Sequence, residues 1–183
     1  VIPRRYKGVL ILRGVEANIM DFKGNLDVDE NVLKKLDYAV ASLHTACIDP
    51  GSLQENMDAY FGVMANPYVK IIGHPDDGRY PIDYDELAKE AKRKSVVLEF
   101  NNASLNPMSV RLNGKENAIK MLEAAKKHGT YIICNTDSHY AGDVGDFRNS
   151  DAILKEMDFP KELVLNNSME KLKMVLNKSI EEM

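Results

Sequence analysis

The chain has 183 residues, 44% of them hydrophobic, which fits a single domain (residues 1–183) able to bury its own core. Its 24 basic and 28 acidic residues leave a net charge of −4, so a nucleic-acid partner, which needs clustered positive charge, is not expected. No apolar run approaches the roughly 20 residues of a membrane span, no apolar segment follows Arg4-Arg5 as a signal peptide requires, and the two cysteines, Cys47 and Cys134, follow no paired pattern. A cytoplasmic protein with reduced thiols and no membrane partner is expected.

The first apolar run, Val9–Leu12 continuing to Val15, reads as a buried strand. A polar stretch from Asp21 to Asp29 reads as a loop or hairpin. The second run spans Leu36–Leu43. Ser52–Met64 then shows a helical period, with Leu53, Met57, Tyr60 and Met64 on one face. Val69–Ile72 is the third run. Asp83–Lys94 is the next helix, and its Asp83 and Glu86 have capping-box spacing. Val96–Phe100 is the fourth run. Glu116–Lys127 is helical and ends at His128-Gly129, where Gly129 serves as the C′ stop. Tyr131–Cys134 is the fifth run and makes Cys134 a core thiol. Ser168 caps a last helix with Leu172, Val175, Leu176 and Ile180 on its apolar face. Strands alternating with helices at this spacing predict an α/β fold with a parallel sheet, open or closed into a barrel.

Ligands in parallel α/β folds bind at the carboxyl ends of the strands. The residues after the successive runs are Glu16, His44, His74, Asn101 with Asn102, and Asp137 with His139. Three of the four histidines thus follow strand ends, while His128 ends a helix, where a cation is favoured by the dipole. Imidazoles and carboxylates on one rim suit zinc, iron or manganese. Five such ligands exceed what one tetrahedral ion needs, which implies at least two metals. Cys47, three residues after His44, reads as structural. Asp76 and Asp77 read as turn residues. Arg79 and Arg111 lie in loops at the same end, as surface charges or as clamps for a phosphate. Asn101 and Asn102 read as turn residues or as supports for ligands and substrate.

These residues lie in stretches that resemble the PHP (polymerase and histidinol phosphatase) family, above all its stand-alone YcdX-type phosphatases. The stretches are Leu12-Arg-Gly-Val-Glu-Ala-Asn-Ile19, Ile71-Ile-Gly-His-Pro75, Val97-Leu-Glu-Phe-Asn-Asn-Ala-Ser104, Asn135-Thr-Asp-Ser-His139 and Met157-Asp-Phe-Pro-Lys-Glu-Leu-Val164. The resemblance implies a distorted (βα)7 TIM-like barrel holding up to three divalent metals. It makes Glu16 the bridging glutamate, His44 and His74 the imidazoles of one metal, and Asp137 and His139 ligands of two others. The family's His-x-His motif and two further histidines have no counterpart before Glu16. The chain is therefore expected to be the C-terminal portion of a longer protein, with the first barrel strands absent.

The activity implied is metal-dependent hydrolysis of a small phosphate monoester by a metal-activated water. Zinc is the expected ion, with manganese or iron as alternatives. Glu16, Asp137 and His139 would be the catalytic residues, and Arg79, Arg111, Asn101 and Asn102 would contact substrate. Two rival readings are a PHP-type nuclease or proofreading activity and a non-catalytic metal-binding chain.

Overall fold

The structure, a computed structural model, describes residues 3–176. Ile180, expected on the last helix, lies outside the described residues. The chain opens with a small antiparallel hairpin of β1 (Arg5–Tyr6) and β2 (Val9–Leu10). Five parallel strands follow: β3 (Gly14–Asn18), β4 (Tyr38–Ser42), β5 (Val69–Ile72), β6 (Val97–Asn101) and β7 (Ile132–Asn135). They lie side by side in chain order. Between β3 and β4 stands the short helix α1 (Glu30–Leu33). The crossovers are α2 (Leu53–Val63), α3 (Tyr84–Lys94) and α4 (Gly114–His128), and α5 (Arg148–Glu156) and α6 (Met169–Leu176) complete the described chain. Among the described residues no helix is long and apolar enough to cross a membrane.

The first apolar run divides in two, contrary to expectation. Lys7 and Gly8, both at positive φ (48° and 83°), make a tight two-residue turn that folds Val9 and Leu10 back on Tyr6 and Arg5. The sheet strand begins only at Gly14, so Glu16 stands in the middle of β3 and pairs with Val40. An apolar run carries no mark of where one strand ends and another begins, and here the turn at Lys7-Gly8 decides it.

The helices form where their ends are sealed. Ser52 and Glu55 make the reciprocal capping box of α2, with the Ser52 N–H donating to Glu55 Oε2 at 2.8 Å. Asp83 accepts from the backbone N–H of Asp85 and Glu86 at the start of α3, but Glu86 pairs with Lys89 instead of reaching back. Gly129, at φ +66°, closes α4 in the left-handed conformation. His128 at that end meets Asp85 Oδ1 at 2.9 Å and ties α4 to α3, the structural place its position suggested. Helix α5 starts at Phe147 with no side-chain cap, which explains why its start leaves no mark in the sequence.

The two faces of the sheet differ. Ala17, Ala41, Ile72, Leu98, Phe100 and Ile132 are fully buried against the helices that carry Met57, Leu87, Met121 and Leu122. On the other face, a smaller cluster joins Tyr38, Val40, Ile71, Val97 and Ile133 to Leu165, Leu172 and Val175. Register places Glu16 level with Val40, Asn18 with Ser42, and Asn101 with Asn135. Side chains alternate across a strand, so this second face is apolar at the amino ends and polar at the carboxyl ends. The polar half is where a site can form.

On the β7 edge Ile132 makes a parallel bridge to Val164, and one side chain carries the pairing on to Cys134. The Cys134 N–H donates to Asn166 Oδ1 at 2.8 Å, and Asn166 Nδ2 donates to the Cys134 carbonyl at 2.9 Å. The amide thus replaces a neighbouring strand. Asn166→Leu leaves both main-chain groups of Cys134 without their partner. It is expected to lower unfolding free energy by about 1–3 kcal/mol, measured by urea denaturation against the parent protein.

Candidate metal centre

Three side chains from three strands converge at the polar end of the sheet. Glu16 Oε1 accepts a hydrogen bond from Ser42 Oγ at 2.7 Å. The same oxygen lies 3.1 Å from His74 Nε2 and 3.5 Å from His44 Nε2. The two imidazole nitrogens are 3.1 Å apart. All three ligand atoms lie within 4.8 Å of one another, which is the spacing of a metal-ligand set.

The surroundings fix how these atoms present themselves. His44 Nδ1 is 2.7 Å from Asn18 Oδ1, and Asn18 Nδ2 in turn donates to Asp27 Oδ2 at 2.6 Å. The Asp27 carboxylate therefore orients the Asn18 amide, and Nδ1 of His44 must be the donor. That leaves the lone pair on Nε2, which faces His74 and Glu16. A carbonyl-type oxygen behind a ligand histidine is the usual way to hold it in this tautomer. Burial lowers the His44 pKa, aided by the neighbouring His74, and favours the neutral ring that a metal requires. Burial is the largest single influence on His74 and works against its charged form, but the Glu16 hydrogen bond together with the charges of Glu99 and Glu16 raises that pKa on balance. The same hydrogen bond is the main reason the Glu16 carboxyl is pulled down to about 2.

His74 is set by its own backbone. It follows β5 at φ +26°, a conformation non-glycine residues seldom adopt. Gly73 before it has no room for a side chain, since an added Cβ would stand 2.1 Å from Ser42 Oγ and 2.9 Å from Val40 Cγ1. The absent side chain lets Ser42 reach Glu16. Beneath His74 lies Glu99, a buried carboxylate that sequence patterning absorbed into the fourth apolar run. It accepts from the His74 N–H at 2.7 Å, from Asn135 Nδ2 at 2.7 Å and from Asn101 Nδ2 at 3.3 Å. A single charge inside an apolar run was the available signal. Glu99 anchors the strained His74 backbone rather than joining the convergent atoms.

Asp137 and His139 stand beside this set. Asp137, at φ +50°, is a second candidate ligand in the left-handed region. Its Oδ2 accepts from Arg111 Nη2 at 3.0 Å and Asn101 Nδ2 at 3.1 Å. Arg111 also donates to Ser104 Oγ at 3.0 Å. His139 Nδ1 lies 3.0 Å from the main-chain oxygen of Asp137, and its side chain is 89% exposed. Arg79 is held by Asp77 through Nε and Nη2 and touches Thr45 through Nη1 at 3.2 Å. His44, His74, Arg79, Arg111, Asp137 and His139 line one cleft of about 380 Å³. Asn102 is not among them, because its Oδ1 accepts from the Ser150 N–H and secures α5.

No protein-family model matches the chain. It is, however, similar to a probable phosphatase of Clostridium novyi, 44% identical over 172 residues, which covers 94% of this chain and 70% of that protein. A probable phosphatase of Clostridium botulinum is 45% identical over 179 residues, covering 97% of this chain and 72% of that protein. One from Caldicellulosiruptor bescii is 41% identical over 170 residues, 93% and 70% of the respective lengths. The chain belongs to this family of probable phosphatases. Its fold is also similar to that of a chain in the cryo-EM structure of archaeal ribonuclease P with mature tRNA, with a TM-score of 0.54 at 19% identity. That likeness covers 81% of this chain and 60% of the other, and bears on fold alone.

The site also carries an uncompensated charge. Asp76 is buried, and neither carboxylate oxygen has a partner in hydrogen-bonding geometry. Burial pushes its pKa from 3.8 to about 6, partly offset by the Ser104 hydroxyl and the Arg111 charge. Between those two values the folded state holds a proton that the unfolded chain has released, so stability falls as pH rises through the window. Asp76→Asn removes the ionisation. With chelator present, the variant is expected to gain about 1–3 kcal/mol relative to the parent on going from about pH 4 to about pH 8. Denaturation curves at both pH values check this, and a difference independent of pH contradicts it.

Proposed function

We propose that the chain is the metal-binding part of a PHP-type phosphatase that hydrolyses the phosphate monoester of a small organic substrate. The observation that carries this is the meeting of His44 Nε2, His74 Nε2 and Glu16 Oε1 within 4.8 Å, the two histidines facing a cleft that Arg79 and Arg111 also line. Two imidazoles and a carboxylate suit zinc first, with manganese and iron as alternatives. Sequential parallel strands with helices packed on one face support a partial TIM-like barrel. On this reading residues 1–183 form a single PHP-type domain, and the complete protein holds up to three ions.

A divalent ion bound there supplies charge neutralisation of the phosphoryl oxygens and a water acidic enough to serve as nucleophile near neutral pH. The residues of the chain do the rest. Glu16, His44 and His74 would hold one ion, and the second oxygen of Glu16 would remain free to bind further positive charge. Asp137 is a ligand held in place by Asn101. Arg111 and Arg79 orient the phosphate, each already anchored by a carboxylate that limits its freedom. His139, exposed at the rim, binds a further ion or passes a proton to the leaving oxygen.

A non-catalytic metal-binding chain is the second reading. It is favoured by one fact: among the described residues only Glu16, His44 and His74 form a cluster with ligand spacing. His74→Ala separates the two. The variant is expected to lose bound metal and the hydrolysis of p-nitrophenyl phosphate together. Turnover should fall by more than the roughly 100-fold that loss of a supporting partner costs. Metal analysis and turnover are read on the same samples. Unchanged turnover contradicts the assignment, and a parent protein that binds metal without turnover supports the non-catalytic reading.

A further inference from the structure

The loop after β6 carries two large apolar side chains out into water at the mouth of the cleft. Met108 is 86% exposed and Val110 is 84% exposed, and both line the same cleft as His44, His74 and Asp137. Arg111, the next residue, turns inward, and its side chain is 14% exposed. One short segment therefore sends a cation to the floor and two apolar groups to the rim.

The loop is held in this form by its own polar groups. Asn106 Oδ1 accepts from the Met108 N–H at 2.9 Å, and Ser109 Oγ lies 3.3 Å from the Arg111 N–H that donates to it. The far end is tied down by the Gly78 N–H, which donates to the Leu112 carbonyl at 2.7 Å. Asn106 and Ser109 are thus engaged with backbone. From Leu105 to Val110 the sequence contains no charged residue. What this stretch of the rim offers a ligand is the apolar surface of Met108 and Val110.

The cleft, at about 380 Å³, lies at the small end of the range for small-molecule pockets and has room beyond a phosphoryl group. The imidazoles and guanidinium groups draw the phosphate to the floor, so the alcohol portion of an ester must point toward the rim. We propose that Met108 and Val110 form a specificity lip that selects phosphate monoesters with an uncharged, apolar alcohol portion such as an aromatic ring. This rests on the phosphatase reading of the same cleft.

The test compares phenylphosphonate with methylphosphonate, two anions that share a head group and cannot be hydrolysed as esters. Binding is measured by calorimetry on the protein in the presence of zinc. Phenylphosphonate is expected to bind about tenfold tighter, the effect of covering part of one ring. Met108→Ser with Val110→Ser should bring the ratio to about one. Met108→Leu with Val110→Ile, which keeps the apolar surface, should preserve it. Equal affinities in the parent protein, or a preference that survives the double serine variant, overturn the lip. Failure of both anions to bind overturns the lip and counts against the phosphatase reading. A preference for phenylphosphonate without hydrolysis of phenyl phosphate supports the lip and counts against that reading alone.

Discussion

His44 Nε2 and His74 Nε2 lie 3.1 Å apart, and Glu16 Oε1 lies 3.1 Å from the second of them. Three atoms that bear lone pairs cannot stay this close unless a proton or a cation lies among them. Without a metal, a proton on His74 serves, and this is why its pKa is raised and that of Glu16 is depressed. A divalent ion would serve the same purpose with more charge and with all three atoms as ligands. The remaining contacts around the site keep these atoms from separating. Asn18, oriented by Asp27, fixes the His44 ring. Ser42 fixes the Glu16 carboxylate, in space that Gly73 leaves free. Glu99 fixes the backbone of His74.

The fold prepares this arrangement before any side chain is chosen. Parallel strands in chain order deliver their carboxyl ends to one rim, and each delivers one or two polar residues there. Both His74 and Asp137 leave their strands through left-handed backbone. Such residues cost on the order of 1–3 kcal/mol and persist where their surroundings hold them. The cost is offset by the helix-covered face of the sheet, where Leu98, Phe100, Ile132 and their neighbours are fully buried. The rigid apolar face and the strained polar rim belong to the same strands.

Much of this was legible in the sequence. Short apolar runs located four of the five sheet strands to within two residues, helical periodicity located α2 and a capping residue located α3, because these signals are local. The first strand was misplaced, because the Lys7-Gly8 turn inside its flank changes the partner without changing the apolar pattern. Helix α5 escaped notice because Phe147 supplies no cap signal. Reading the residue after each run pointed to His44 and His74, which meet at the polar end of the sheet, and to Asp137, which lines the same cleft. It found Glu16 for a different reason than the one supposed, since that residue lies within its strand. Ser42 and Asn18 were invisible as site residues, and Glu99 showed only as a single charge within an apolar run. Their importance lies in contacts across strands, which depend on register, and register is not written in any one segment.

The account stands or falls on where a metal sits. Crystals of the protein grown with zinc and measured at the zinc absorption edge locate the ion independently of activity. The account predicts an anomalous peak bonded to His44 Nε2, His74 Nε2 and Glu16 at distances of about 2.0–2.2 Å. A zinc ion bound elsewhere, with these three side chains still hydrogen-bonded to one another, would contradict it.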